Sequence, residues 1–495
     1  MRFESPGRFS YLRSDGDEMG GTLLRKDQFM IVDQRILFMS TEGIDYPRDL
    51  VYQEYFSEQK TGFVLPEIVE QMEKAQDKII RSNYYGSFLV SGAAGSGKTT
   101  LSLHRVAYLL QSPQTQSIFK PHEIIVFVQD ASTKHYFSGL LPQLGINSVK
   151  IVSFDEWAMK ILDLSDMKFV RRYGIDERDK DAYEYAKKKA LTFLKHHKGK
   201  SIDSLLVNAY EKIFSNEQMR LLKRQLKDRL LDRFDLTVLM KIHYSRNNGF
   251  NQRNEKFVQQ KSTRKYIKKK FIQPVQYSLI VLDEAENYLG EQIQLIKSCI
   301  NPKTNAMIYV GDLVQQTMLW TIKDWSEVDE QFASERKVVL QKVYRNTKQI
   351  LEYIRRVGYK IEIPPNSKKG EQVEEKIISK KPEEIRYVKK LIAKYANNSI
   401  GLLSKTEEYL EEYKKIFRSN KNIKIMTINE AQGVEFEVVL LVGMNSEFYK
   451  NETINEAINN ERRKVNRDLI YVALTRAMKG LYIFGNTKIQ SLIAV

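Results

Sequence analysis

The sequence predicts an α/β fold of two parallel-sheet units, the first interrupted by a basic, mostly helical insert. Three observations carry that prediction. Short, nearly all-apolar runs (Phe88–Val90, Ile124–Val128, Leu279–Leu282, Ala306–Val310) alternate with helical periods, the pattern of a parallel sheet covered on both faces. A second series of the same kind begins near Lys348. Inside the first series, Ile161–Gln276 holds 28 Lys+Arg against 14 Asp+Glu, whereas the rest of the chain holds 51 against 48.

Residues 1–65 contain the apolar stretches Phe29–Val32 and Ile36–Met39, readable as a few strands, and form a segment of unknown role. Ile68, Val69, Met72, Ala75, Ile79 and Ile80 recur at a helical period over 65–81. The strand at Phe88–Val90 leads through a Gly-rich turn into a helix over 98–111. Ile124–Val128 is a strand, 132–144 a helix and 148–154 a further strand. Residues 66–160 with 275–338 make the first unit, and 161–274 make the insert.

Within the insert, Lys241–Lys270 carries ten basic residues and one acid, interleaved with Tyr244, Phe250, Phe257 and Tyr266. That composition suits phosphate neutralisation plus stacking, with Lys265, Lys268, Lys269 and Lys270 as candidate contacts. A solvated loop is the competing reading for Arg246–Asn254, and the acid-balanced helices at 171–190 read as a solvated face. The second unit, 339–495, alternates helices over 348–357, 383–395, 407–417 and 467–477 with strands at Ile400–Leu403, Ile423–Ile428, Val438–Val442 and Leu481–Phe484.

Composition narrows the function classes. The chain has 495 residues and a formal charge of +17, which points to a polyanionic partner. Its one cysteine, Cys299, excludes an intrachain disulfide framework and a multi-thiolate zinc site. No apolar run approaches ~18 residues and the first residues lack the apolar core of a signal peptide, so the expected compartment is the cytoplasm, with no membrane.

The chemistry begins at Gly92-Ala93-Ala94-Gly95-Ser96-Gly97-Lys98-Thr99, followed by Thr100. Between a strand and a helix, this G-x-x-x-x-G-K-[ST] run lets backbone amides wrap a phosphate. Lys98 reaches the β- and γ-phosphates of a nucleotide, and the Thr99 hydroxyl faces Mg²⁺. The apolar strand Leu279–Leu282 ends in Asp283 and Glu284. Its first carboxylate suits the metal and its second suits activation of a water.

At these residues the chain resembles the superfamily 1A helicases of the UvrD/Rep/PcrA type, closest to the helicase-IV/HelD-like branch. The resemblance covers about Gln76–Gly485. Gln76 sits where the family reads adenine, and Asp283-Glu284-Ala285-Glu286 matches the DEAx box, with Glu286 where the family usually has Gln. Gly311-Asp312-Leu313-Val314-Gln315 is similar to the GDxxQ motif, implying Gln315 as the γ-phosphate sensor. Tyr344-Arg345 is similar to the YR motif, implying adenine stacking and a first arginine finger. Gln432-Gly433-Val434-Glu435-Phe436 resembles KGLEF, with Glu435 on the ribose, and Tyr471-Val472-Ala473-Leu474-Thr475-Arg476-Ala477 implies Arg476 as the second finger.

The resemblance implies two RecA-like P-loop NTPase domains, ATP and Mg²⁺ as cofactors, and 3′→5′ translocation on single-stranded or tailed DNA, RNA not being excluded. It places a base-stacking aromatic at Trp320, for which a buried core tryptophan is the competing reading. The insert lies where the family carries subdomain 1B. The spacing from Arg345 to Met426 implies that a full 2B subdomain is lacking. Two other functions stay open: an ATP-driven remodeller of a protein–nucleic acid complex such as RNA polymerase, and a DNA-sensing ATPase beside a separately encoded nuclease.

Overall fold

The computed structural model describes residues 7–52, with short breaks, and 83–493, except 93–95, 113, 130–132, 135–136, 139–140, 143–145, 147, 195–198, 260–265, 341–345, 362, 364–366, 419, 421, 433, 450–452 and 454; along 7–52 and 253–271 the description is of backbone. The chain divides into two compact units, Met1–Lys74 and Ala75–Val495. The predicted helix over 65–81 lies outside the described residues.

The first compact unit is all antiparallel. Gly7–Leu12 pairs with Glu18–Leu23, and Arg25–Val32, Arg35–Gly43 and Asp49–Tyr52 form a three-stranded meander. The two apolar stretches of the sequence fall on the first two strands of that meander.

The second compact unit contains two parallel sheets. The first is built from β1 (Gly86–Gly92), β2 (Ile124–Phe127), β3 (Lys150–Val152), β4 (Leu279–Leu282), β5 (Ala306–Val310) and β6 (Lys337–Leu340), in the order β6-β1-β5-β4-β2-β3. Every residue of β2, β4 and β5 is buried, which is why these strands read as continuous apolar runs. Burying each such Val, Ile or Leu side chain is worth ~1.5–3 kcal/mol. The order reverses around β1, so the carboxyl ends of β1, β4 and β5 open onto one crevice, where α/β sheets bind ligands.

The second sheet holds β7 (Glu374–Ile377), β8 (Ile400–Ser404), β9 (Ile423–Thr427), β10 (Phe436–Leu441) and β11 (Ala477–Gly485), in the order β7-β11-β10-β8-β9. Helix α1 (Lys98–Gln111) follows β1, α2 (Glu177–Thr192) and α3 (Arg233–Asn247) belong to the insert, and α4 (Glu456–Thr475) precedes β11.

The insert is mostly helical up to Asn247, and Asn251–Gln259 and Tyr266–Pro274 then pair as an antiparallel hairpin. Much of the basic stretch lies on these strands, which take in the last four residues of Arg246–Asn254. Residues 171–190 form a solvated face only in part, mainly over 171–180. Asp181, Glu184 and Lys187 on α2 are 0–3% exposed. Lys187 Nζ donates to Asp232 Oδ2 (2.6 Å), Asp235 Oδ2 (2.8 Å) and Gln225 Oε1 (3.2 Å), so its charge is matched inside the core. Asp232 also caps α3, accepting from the amides of Phe234 (2.9 Å) and Asp235 (3.1 Å).

Candidate functional site

The sequence-predicted phosphate residues converge where β1 runs into α1. Gly92 has φ +150°, and a Cβ there would stand 2.4 Å from the carbonyl oxygen of Leu340, so no larger residue fits. Gly97 turns the chain at φ 85° into the first turn of α1, which carries Lys98, Thr99 and the buried Thr100. Ala93, Ala94 and Gly95 lie outside the described residues. Ser96 is 4% exposed and, among the described residues, its Oγ has no hydrogen-bond partner, a buried polar atom next to Gly97 and Lys98.

Lys98 Nζ donates to the Gly92 carbonyl at 2.7 Å, and Gln315 Nε2 donates to the same carbonyl at 3.0 Å. Thr99 Oγ1 donates to Asp283 Oδ1 at 3.0 Å. A hydroxyl and a carboxylate from two different elements thus meet as a pair of hard oxygen ligands, the donor type Mg²⁺ takes. Burial lowers the pKa of Lys98; the charges of Glu286, Asp312 and Asp283 oppose that, and Arg476 adds to it.

Glu284 follows directly, at φ 50°, a left-handed backbone that turns the chain off the strand end. Glu286, 3% exposed, accepts from the Asp312 amide at 3.1 Å, and burial pushes its carboxyl up to about 8. A Cβ on Gly311 would stand 2.0 Å from its Oε2 and 3.0 Å from the Ala285 amide nitrogen, so the glycine of the GDxxQ run leaves room for this contact. Asp312 in turn accepts from Gln315 Nε2 at 2.7 Å. One chain of contacts therefore ties the DEAx turn, the GDxxQ loop and the phosphate loop together.

The segment after Gln315 reaches the second sheet's elements. The Gln316 amide donates to Asp468 Oδ2 (3.2 Å), Thr317 Oγ1 donates to Gln432 Oε1 (2.7 Å), and the Trp320 amide donates to Glu461 Oε1 (2.8 Å). Arg476, 6% exposed, donates from Nε to the Val472 carbonyl (3.1 Å) and from Nη1 to the Val434 carbonyl (3.4 Å), and its charge is felt at Lys98. Glu435 is half-buried on the turn just before β10.

Other predicted residues stand apart. Gln76, Tyr344, Arg345 and Lys265 lie outside the described residues. Lys268, Lys269 and Lys270 lie on the hairpin in register with Phe257, Lys256 and Glu255. Trp320 is only 9% exposed, at φ 64°, with its ring 4.9 Å from Tyr185 of α2. In this conformation it is packed as a core tryptophan. Sequence reasoning missed Thr317, Glu461 and Asp468; none stands in a recognisable spacing with its partner, and only contact reveals them.

The family description "UvrD-like helicase C-terminal domain" matches residues 123–488. A "Probable DNA helicase II homolog" of Mycoplasma capricolum is 25% identical over 415 residues, covering 75% of this chain and 54% of that protein. The "ATP-dependent DNA helicase Rep" of Buchnera aphidicola subsp. Schizaphis graminum is 35% identical over 85 residues, 17% of this chain and 12% of that one. The chain spans about half the length of the first of these relatives and a small part of the second. Among solved structures, the C-terminal domain of a possible DNA helicase from Lactobacillus plantarum WCFS1 is 18% identical with a TM-score of 0.24, covering 31% of this chain and 93% of that one.

Proposed function

This chain belongs to the UvrD-like helicase family, and on that premise we propose that it is an ATP-driven motor that moves along single-stranded DNA, 3′→5′, by closing and opening its two parallel-sheet units around a nucleotide. The observation that carries this reading is the meeting of Lys98, Thr99, Asp283 and Gln315 at one crevice, linked by hydrogen bonds to the second sheet's side. The relatives' names, DNA helicase II and Rep, support the same substrate class.

In this reading the amides of residues 92–99 and the Ser96 hydroxyl receive the phosphates. Lys98 exchanges the Gly92 carbonyl for the β- and γ-phosphate oxygens, relieving a buried cation of its desolvation. The Thr99 hydroxyl and the Asp283 carboxylate would hold Mg²⁺, which when bound neutralises phosphate charge. Glu284 accepts the proton of the attacking water. Gln315 senses the γ-phosphate through a bond that now rests on Gly92. Arg345 and Arg476 stabilise charge on the transferring phosphoryl group, Gln76 and Tyr344 hold the adenine, and Glu435 the ribose. Loss of the γ-phosphate relaxes Gln315, and the 311–322 segment transmits the change to α4.

Binding to DNA is assigned to the basic insert. Replacing Lys268, Lys269 and Lys270 together with Ala is expected to weaken binding of a labelled oligo(dT) and to flatten the log–log salt slope by roughly 2, at about 0.7 per phosphate contact on a single strand. ATP hydrolysis without DNA persists in that variant. Fluorescence anisotropy at several salt concentrations checks this, and an unchanged slope removes the hairpin from the DNA contact.

A further inference from the structure

The basic stretch of the insert carries Tyr244, Phe250, Phe257 and Tyr266, and the structure divides these aromatics. Phe250 is 4% exposed, with its ring 5.5 Å from Trp157 and 5.3 Å from Tyr244, so it belongs to the core below the hairpin. The Val275 amide donates to the Phe250 carbonyl at 2.8 Å, which carries the hairpin's register one pair further down. Phe250 and Val275, both buried, therefore mark the face of the hairpin that is covered at its base. Gln252 and Gln273, the next pair on that face, are half-buried. Asn251 and Pro274 pair on the other face, and both are exposed. So is Ile272, at 69%.

Successive residues of a strand alternate between faces, and directly opposed partners share one. The register from Asn251↔Pro274 to Gln259↔Tyr266 thus places Arg253, Phe257, Tyr266, Lys268 and Lys270 on the open face with Ile272. Val258, Ile267 and Phe271 fall on the covered face, together with Lys256 and Lys269. Cations are shared between the two faces, but Phe257 and Tyr266 both stand on the open one. Phe257 is opposite Lys268, and Tyr266 is its diagonal neighbour, about 7–8 Å away in an antiparallel pair. Aromatic residues beside cations on an open sheet face have the chemistry of a single-strand platform. Rings stack on unpaired bases of any sequence, and cations meet the phosphates between them.

We propose that Phe257 and Tyr266 form a base-stacking pair on the open face of this hairpin, with Arg253, Lys268 and Lys270 at the phosphates of the same single strand. The proposal rests on the reading that the chain acts on single-stranded DNA, and it names the part of the insert that tells bases from bare phosphates. It moves the stacking role from Trp320, which is packed on Tyr185, to the insert.

The test measures binding of two fluorescein-labelled strands to the full chain by anisotropy: oligo(dT), and an abasic oligodeoxynucleotide of the same length and charge. Phe257→Leu combined with Tyr266→Leu is expected to weaken oligo(dT) binding about 5-fold or more, the low end for loss of one stacked base. Binding of the abasic strand shifts less than about 2-fold and the salt slope for oligo(dT) is unchanged, since the cations remain. Phe257→Tyr combined with Tyr266→Phe keeps both rings and binds oligo(dT) as wild type does. Oligo(dT) affinity that is unchanged in the first double variant, or that falls equally with affinity for the abasic strand, overturns the stacking pair and leaves the motor reading intact. Should that double variant fail to fold, Phe257→Leu and Tyr266→Leu singly decide by the same comparison. If wild type binds neither strand at low salt, the motor reading itself fails and takes the stacking pair with it.

Discussion

Replacing Glu284 with Gln lowers ATP turnover by on the order of 10²–10⁴-fold, the usual contribution of a positioned general base, while nucleotide binding persists. The substitution keeps the size and hydrogen-bonding reach of the side chain at the end of β4 and removes only its ability to take a proton. Lys98→Ala fails differently. It removes the cation that the phosphates are expected to take from the Gly92 carbonyl, so both affinity and turnover fall. Single-turnover hydrolysis beside binding of a fluorescent nucleotide separates the two. Full ATP turnover in the Glu284→Gln protein would place the base elsewhere.

The second large effect is on stability. Lys187→Met leaves Asp232 and Asp235 without their shared cation in a site where all three side chains are 0–2% exposed. Removing one partner of a buried ion pair costs about 3–5 kcal/mol. Burial, with the nearby charge of Asp235, already pushes Asp232 up to about 7 while Lys187 is present, so the unpaired carboxylates have no inexpensive way to stay ionised. Combining Lys187→Met with Asp232→Asn and Asp235→Asn restores much of the loss, because no uncompensated charge remains. Urea unfolding followed by intrinsic fluorescence checks both, and a loss below about 1 kcal/mol in the single variant contradicts the account of the insert's core.

What could be read from the sequence was local. The phosphate loop is eight contiguous residues whose glycines answer to a close backbone approach, and the central strands of the first sheet are apolar because both faces are covered. The strand Glu374–Ile377 escaped that reading, since an edge strand that is only half-buried keeps its charges. The helix predicted over 467–477 begins at Glu456, eleven positions earlier, and its first half was hidden by polarity. There Glu461, Arg462 and Asn466 are buried, yet Glu461 is matched by the 311–322 segment, Arg462 by the insert and Asn466 by the Tyr449 carbonyl rather than by neighbours on the helix. Asp181 and Arg462 stand 281 positions apart, and no periodicity joins them. Trp320 shows the same limit in reverse. Its position after Gln315 suggested an open aromatic, and the ring is packed on Tyr185 instead.

The central claim is that nucleotide hydrolysis in this chain is coupled to single-stranded DNA. Steady-state ATP hydrolysis with Mg²⁺, measured alone and with oligo(dT), duplex DNA or single-stranded RNA over a range of salt, tests it most directly. The account predicts a low rate without nucleic acid, a rise of about tenfold or more with oligo(dT), and loss of that rise at high salt as phosphate contacts are screened. A rate indifferent to every nucleic acid at low salt would contradict it.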